Sequence, residues 1–151
     1  MTTGTRIRSW FVAAVVAAVL AAAPRGAAAQ KVQVSPMPGT VVFNQPTAVD
    51  FNAGFIGEPT MALLVQPRNA KKPWQLFIRA GSADMGGYGK PVSDVLWRTD
   101  PSSAWTSLTT SYQQIAQGTG TVVVYLYFRT RLQWSQDVAG TYDALLEFGA
   151  Q

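Results

Sequence analysis

The stretch that decides the fold runs from Thr121 to Leu132 and reads Thr-Val-Val-Val-Tyr-Leu-Tyr-Phe-Arg-Thr-Arg-Leu. Side chains alternate between the two faces of a β-strand. One face therefore carries Val122, Val124, Leu126 and Phe128, and the other carries Val123, Tyr125, Tyr127 and Arg129. Because both faces are largely apolar or aromatic, we predict a central strand with a second covered surface.

Similar short runs fill the chain after Gln30, and Gly- and Pro-rich turns separate them at intervals of about ten residues. No long helical periodicity is present, so we predict strands over Lys31–Ser35, Thr40–Phe43, Thr47–Ala53, Thr60–Gln66, Trp74–Ala80, Val92–Arg98, Trp105–Leu108, Thr121–Leu132 and Thr141–Phe148. Gly81–Pro91 and 117–120 have loop compositions. The pattern is typical of an all-β antiparallel sandwich of about 7–9 strands.

The first 29 residues have the three parts of a cleavable signal peptide. Arg6 and Arg8 form a basic start, an uncharged apolar run follows from Trp10 to Ala23, and small residues at Ala27–Ala29 fit the cleavage site. The apolar run is shorter than the roughly 20 residues that a membrane-spanning helix requires. We therefore predict a mature protein that begins at Gln30, with no stable membrane span after cleavage.

This reading divides the chain into a signal peptide (1–29), a lead-in segment or edge strand (30–39) and a β-sandwich domain (40–151). It also predicts a location outside the cytoplasm: secreted, extracellular, periplasmic or at the cell surface.

Charge argues against nucleic acid and anionic membrane surfaces as partners. The whole chain has a formal net charge of +4, but Arg6, Arg8 and Arg25 belong to the predicted signal peptide. Of its 12 basic residues, 9 then remain against 8 acidic ones. A nearly neutral domain lacks the basic surface on which phosphate binding depends.

The chain contains no cysteine and no histidine. Ser-His-Asp and Cys-His catalysis, thiol redox chemistry and ordinary zinc sites are therefore excluded. The carboxylates are dispersed along the sequence, which leaves a carboxylate-based hydrolase as the least favoured hypothesis. We predict a protein that is not an enzyme, with no catalytic residues, no metal and no cofactor.

The segment from Trp134 to Phe148 resembles the last turn and closing strand of bacterial secreted immunoglobulin-like domains. These domains often end with an Ala/Pro-Gly-x-Tyr turn, here Ala139-Gly140-Thr141-Tyr142. The resemblance implies an immunoglobulin-like sandwich in which Tyr142 buries its ring and bonds nearby backbone through its hydroxyl, as in a tyrosine corner.

Spore-coat-U-like domains and chaperone–usher pilins share the Gly-x-Tyr ending. Such pilins commonly carry a disulfide, which this chain lacks, and its last strand is similar to an ordinary closing strand. Both features argue against pilin-type donor-strand exchange. Trp74-Gln75-Leu76 matches the Trp-x-Leu tripeptide of Gram-positive cell-wall-binding domains, but there is no second copy.

Three tryptophans, Trp97, Trp105 and Trp134, stand among polar residues and are candidate ligand-binding residues. A flat exposed ring can stack on the apolar face of a sugar, whereas a buried one anchors a sheet edge, and both readings stay open. Tyr88 lies in the glycine-rich loop Gly81–Pro91, which is either a recognition loop or a flexible connector.

Export, small size, near-neutral charge and the missing catalytic inventory favour a structural or interaction module. We expect protein–protein association, with a protein partner or by self-association, in a surface layer, a filament or an exported complex. The alternative is a carbohydrate-binding module that uses exposed tryptophans to bind a surface glycan.

Overall fold

The computed structural model describes residues 30–151 except residue 87, together with the backbone of residues 12–19. The rest of the predicted signal peptide lies outside the described residues. Almost all regular structure in the described chain is β-strand, so the prediction of an all-β fold is confirmed.

The strands form two five-stranded sheets and one short hairpin. In chain order they are β1 (Val12–Val19), β2 (Val32–Met37), β3 (Thr40–Val42), β4 (Phe55–Pro67), β5 (Pro73–Ala80), β6 (Asp84–Met85), β7 (Lys90–Pro91), β8 (Val95–Arg98), β9 (Thr106–Ser107), β10 (Gln113–Thr119), β11 (Val122–Arg131) and β12 (Thr141–Ala150). The first sheet has the order β10-β5-β12-β1-β3, the second has the order β2-β4-β11-β8-β9, and β6 pairs with β7.

Both sheets contribute to one buried core, which gives the domain two β-layers. In β5 the predicted inward face of Trp74, Leu76 and Ile78 is buried, as period-two alternation requires. Leu126 and Phe128 of β11 are buried in the same core, and so is Phe148 of β12.

The prediction that β11 is a central strand is confirmed, because it lies between β4 and β8. The prediction of a second covered surface is wrong for much of the strand, since Val123 is 40% exposed and Tyr125 is 55% exposed. Only the inner face of this sheet packs against the other layer, so these outer side chains remain in solvent.

The predicted strand over Thr47–Ala53 is wrong, because the chain forms helix α1 (Ala48–Ala53) there. The Thr47 side-chain oxygen accepts a hydrogen bond from the Asp50 amide, and the Asp50 carboxylate accepts one at 2.7 Å from the Thr47 amide. This capping box begins the helix, and Gly54 ends it in the left-handed region at φ 81°. The strand prediction relied on the alternation of apolar residues, which carries no information about these helix caps.

Other differences are smaller. The run Val92–Arg98 starts with a 3-10 turn, and its strand begins at Val95. Strand β10 was not predicted because its sequence, Gln-Gln-Ile-Ala-Gln-Gly-Thr, is mostly polar, yet it pairs with β5 as an edge strand. The predicted loop Gly81–Pro91 contains the β6–β7 hairpin. Residues 32–37 of the lead-in segment form an edge strand on β4.

Tyr142 has the bonding of a tyrosine corner. Its ring is buried, and its hydroxyl donates to the Val138 carbonyl at 2.6 Å and accepts from the Val138 amide at 3.1 Å. Burial raises the pKa of Tyr142 above its ordinary value of 10.0, because a phenolate loses solvation in the core.

We expect Tyr142→Phe to lower the free energy of unfolding by about 1–2 kcal/mol, since the substitution removes both hydrogen bonds. The wild type should also lose stability as the pH rises above 10.0, where the unfolded chain ionises this tyrosine before the folded one does. The variant should lack that contribution. Urea unfolding at pH 7 and pH 10.5 measures both effects, and Tyr125→Phe, at an exposed position, is the matched control. Equal losses in the two variants would contradict the prediction.

Candidate functional site: a strand slot in the first sheet

Strand β12 has different partners on its two edges. On one edge, Leu146–Ala150 pairs antiparallel with Leu76–Ala80 of β5. On the other edge, Thr141–Phe148 pairs parallel with β1, from Val12 opposite Thr141 to Val19 opposite Phe148. Within the described chain, β1 alone pairs with that second edge of β12.

The short strand β3 depends on the same partner. Its residues Thr40–Val42 pair antiparallel with Ala14–Val16 of β1, and the sheet order places β1 between β12 and β3. We call the space between β12 and β3 the slot. In this structure, residues 12–19 occupy the slot, and these residues lie inside the predicted signal peptide.

The inner side of the slot belongs to the hydrophobic core. On β12 it is formed by the buried side chains of Tyr142, Ala144, Leu146 and Phe148. Across the slot lie the buried Val41 of β3 and Phe43, which follows it. Residues in register on neighbouring strands share a face. A strand in the slot therefore needs small or apolar residues at four alternating positions, and Val-Ala-Ala-Val-Val-Ala-Ala-Val of β1 meets this requirement throughout.

The outer side of β12 is more polar. Asp143 is exposed, and partial burial of its carboxylate raises its pKa above the ordinary value of 3.8. Glu147 is buried and accepts a hydrogen bond at 2.6 Å from Arg79 Nε of β5. Arg79 in turn lies 4.5 Å from the centre of the Tyr112 ring. The carboxylate of Glu147 is thus held by its own sheet, whereas Asp143 faces solvent beside the slot.

A buried ion cluster lies near one end of the slot. Lys90 Nζ is 2.6 Å from Asp137 Oδ1 and 2.9 Å from Asp94 Oδ2. A cavity of about 20 Å³ adjoins this cluster and is also lined by Phe43 and Tyr142, which flank the slot. Among the described residues there is no group of three or more acidic side chains arranged to hold a metal ion.

The predicted ligand-binding aromatics lie in different parts of the fold. Trp97, in β8, is buried and offers no ring face to solvent. Trp105 is half-buried, and the guanidinium groups of Arg98 and Arg129 lie 4.2 Å and 4.4 Å from its ring centre. These cations occupy ring surface on which a sugar would stack.

Trp134 and Tyr88 are more accessible. Trp134 is 62% exposed, stacks on Phe51 of α1 with ring centres 4.4 Å apart, and donates from Nε1 to Asn52 at 3.2 Å. Tyr88 is also exposed, and its ring centre lies 5.5 Å from that of Tyr142. Of the three candidate tryptophans, Trp134 has the geometry of an exposed platform.

Comparison with protein-family models found no match. Comparison with curated proteins found none either. No helix in the described part of the chain is long and apolar enough to cross a membrane.

Sequence reasoning missed the slot because it assigned Val12–Val19 to export alone. The same apolar run also satisfies the pattern of a buried strand, which was the available signal. The pairing of this run with β12 and β3 joins residues that are far apart in the sequence, so no local pattern predicts it.

Proposed function

We propose that the mature protein is a secreted or cell-surface structural and interaction module that works by protein–protein association, and that it accepts a strand from another protein in the slot. One observation carries this proposal: residues 12–19 complete the first sheet, and the sequence predicts that the same residues are removed on export. The proposed location is secreted, extracellular, periplasmic or at the cell surface.

The physical reason is the state of the sheet once those residues are gone. Backbone groups along 141–148 of β12 would lose their partners on one edge, next to the buried row that contains Tyr142 and Leu146. Unpaired strand edges and uncovered apolar rows are both stabilised by adding a strand, which is a general mode of protein recognition. The lack of cysteine argues against a pilin of the chaperone–usher type, in which a disulfide is common, but accepting a strand requires only a free sheet edge.

The immunoglobulin-like class belongs to the same proposal. Two β-layers around one core support it, and so does the tyrosine corner formed by Tyr142 and Val138. The proposal includes no enzymatic activity, because a strand-accepting module needs no catalytic residues.

The test uses protein that begins at Gln30 and a soluble peptide carrying the sequence of residues 12–19. We expect the protein either to self-associate in size-exclusion chromatography with light scattering, or to bind the peptide with one-to-one stoichiometry and then remain monomeric. A control peptide has aspartate at the four positions in register with Tyr142, Ala144, Leu146 and Phe148, and it should not bind. The proposal would be overturned if the protein is a folded monomer over a wide concentration range and binds neither peptide.

The second candidate function, carbohydrate binding, is favoured by the exposed ring of Trp134 on Phe51. If this pair binds a glycan, the sugar should shift the tryptophan fluorescence to shorter wavelength, and Trp134→Ala should weaken binding about tenfold or more. Trp105→Phe is the control, since its ring already contacts two arginines. No fluorescence response across a broad panel of soluble glycans would rule out this function.

A further inference from the structure

Lys90, Asp94 and Asp137 form a cluster of charged groups that the strand slot does not use. The side chains of Lys90 and Asp137 are 5% and 4% exposed, and that of Asp94 is 11% exposed. One ammonium group faces two carboxylates here, so the buried site holds three charges. Burying ions is costly even when they are paired, which makes a cluster of this kind unusual in a small domain.

The cluster joins distant parts of the chain. Lys90 belongs to β7, Asp94 ends the 3-10 turn that follows, and Asp137 lies in the segment between β11 and β12. Asp137 is held at both oxygens, since Oδ2 accepts from the Gln133 amide at 2.8 Å while Oδ1 contacts Lys90 Nζ at 2.6 Å. The carboxyl carbon of Asp137 is therefore fixed next to the lysine nitrogen.

The surroundings favour a neutral product over an ion pair. The adjoining cavity is lined mainly by apolar and aromatic groups such as Phe43, Leu132 and Tyr142, and Asn44 and Thr130 also contribute to its wall. An apolar environment stabilises a neutral amide relative to separated charges. The cavity of about 20 Å³ is also large enough for one water molecule.

We propose that Lys90 and Asp137 become joined by an isopeptide bond, with Asp94 as the proton-transfer group. Asp94 accepts a proton from the ammonium group, and the freed electron pair on Nζ attacks Cγ of Asp137. A new N–C bond forms and one C–O bond of the carboxyl group breaks. The departing oxygen leaves as water. Its two protons come from Nζ, and Asp94 transfers one of them.

The balance of this reaction is one ammonium and one carboxylate converted into one amide and one water. No atom is oxidised or reduced, and no cofactor is needed. The remaining N–H of the amide can donate to Asp94, which keeps a partner for that carboxylate. In a chain without cysteine, the bond would tie the β6–β7 hairpin to the segment before β12, as a disulfide does elsewhere. It does not depend on the strand slot.

Mass spectrometry of a tryptic digest of the full-chain gene product tests the bond. Trypsin cuts after Arg79, Arg98 and Arg131, and Lys90 is protected because Pro91 follows it. We expect peptides 80–98 and 132–151 to appear as one branched species, whose mass is the sum of the two peptide masses less one water. Separate, unmodified peptides from protein that circular dichroism shows to be folded would overturn the proposal.

Three variants make the test specific. Asp137→Asn should give a branched species of the same mass as the wild type, because ammonia then leaves in place of water. Lys90→Arg keeps the positive charge but should give no branched species. Asp94→Asn should abolish or strongly slow the linkage while the fold is retained. Linkage at the wild-type rate in Asp94→Asn would overturn the role of Asp94, and linkage in Lys90→Arg would overturn the assignment to Lys90.

Discussion

Protein that begins at Gln30 is expected to be less stable than the full chain by about 5 kcal/mol or more, because it lacks the strand in the slot. That strand has eight register partners on β12 and three on β3. Backbone hydrogen bonds between paired strands contribute roughly 1 kcal/mol each. Urea unfolding of the two proteins measures the difference. An excess of the 12–19 peptide should restore part of it by mass action.

A pair of substitutions in the full chain separates the slot from a general effect of the leader. Val15 is in register with the buried Ala144, whereas Ala14 is in register with the exposed Asp143. Val15→Lys should therefore destabilise the full chain nearly as much as the deletion does, while Ala14→Lys should have a small effect. Equal effects of the two lysines, or equal stability of the full and shortened chains, would show that residues 12–19 do not complete the sheet.

Gly57→Ala is the single substitution for which we expect the largest loss, about 3 kcal/mol or more, because it combines backbone strain with a clash. Gly57 has φ 143°, a region that residues with a Cβ rarely adopt. A Cβ there would lie 2.7 Å from the Phe128 carbonyl oxygen and 2.8 Å from Arg129 Cα. Both contacts are with the backbone of β11, which cannot move aside without breaking the pairing.

The measurement is the change in thermal or urea midpoint of Gly57→Ala against the wild type. Gly39→Ala is the control, because no heavy atom of the described residues lies within 4 Å of the added carbon, and its effect should be within about 0.5 kcal/mol. Pairing between β4 and β11 shifts register between Tyr127 and Arg129, and Gly57 lies opposite Arg129 at that irregularity. A wild-type midpoint for Gly57→Ala would therefore contradict this register.

Several elements were predictable because their signal is local. The alternating side chains of β5 and β11 gave the inward faces correctly, since period two is a property of the strand itself. Helix α1 is also encoded locally, in the capping residues Thr47 and Asp50, but the alternation of its apolar residues is the pattern of a strand. Strand β10 could not be predicted in this way, because its pairing with β5 offsets a polar sequence.

The candidate sites also combine features that the local sequence shows with features that only the fold decides. Flanking polar residues suggested that Trp97, Trp105 and Trp134 were alike, yet the fold buries the first, places two arginines against the second and exposes the third. The spacing of Lys90 and Asp94 is visible in the sequence, but the approach of Asp137 is not, because it comes from 47 residues away.

The sequence by itself determined the all-β class, the inward rows of the main strands and, through the absence of cysteine and histidine, the exclusion of catalysis by those two side chains. Only the tertiary structure decided which strands pair, and hence that β12 and β3 have residues 12–19 between them. The physical reason is range. Alternation depends on neighbouring residues, and composition does not depend on the fold at all. A sheet edge, in contrast, is defined only when the other strands of the sheet have paired.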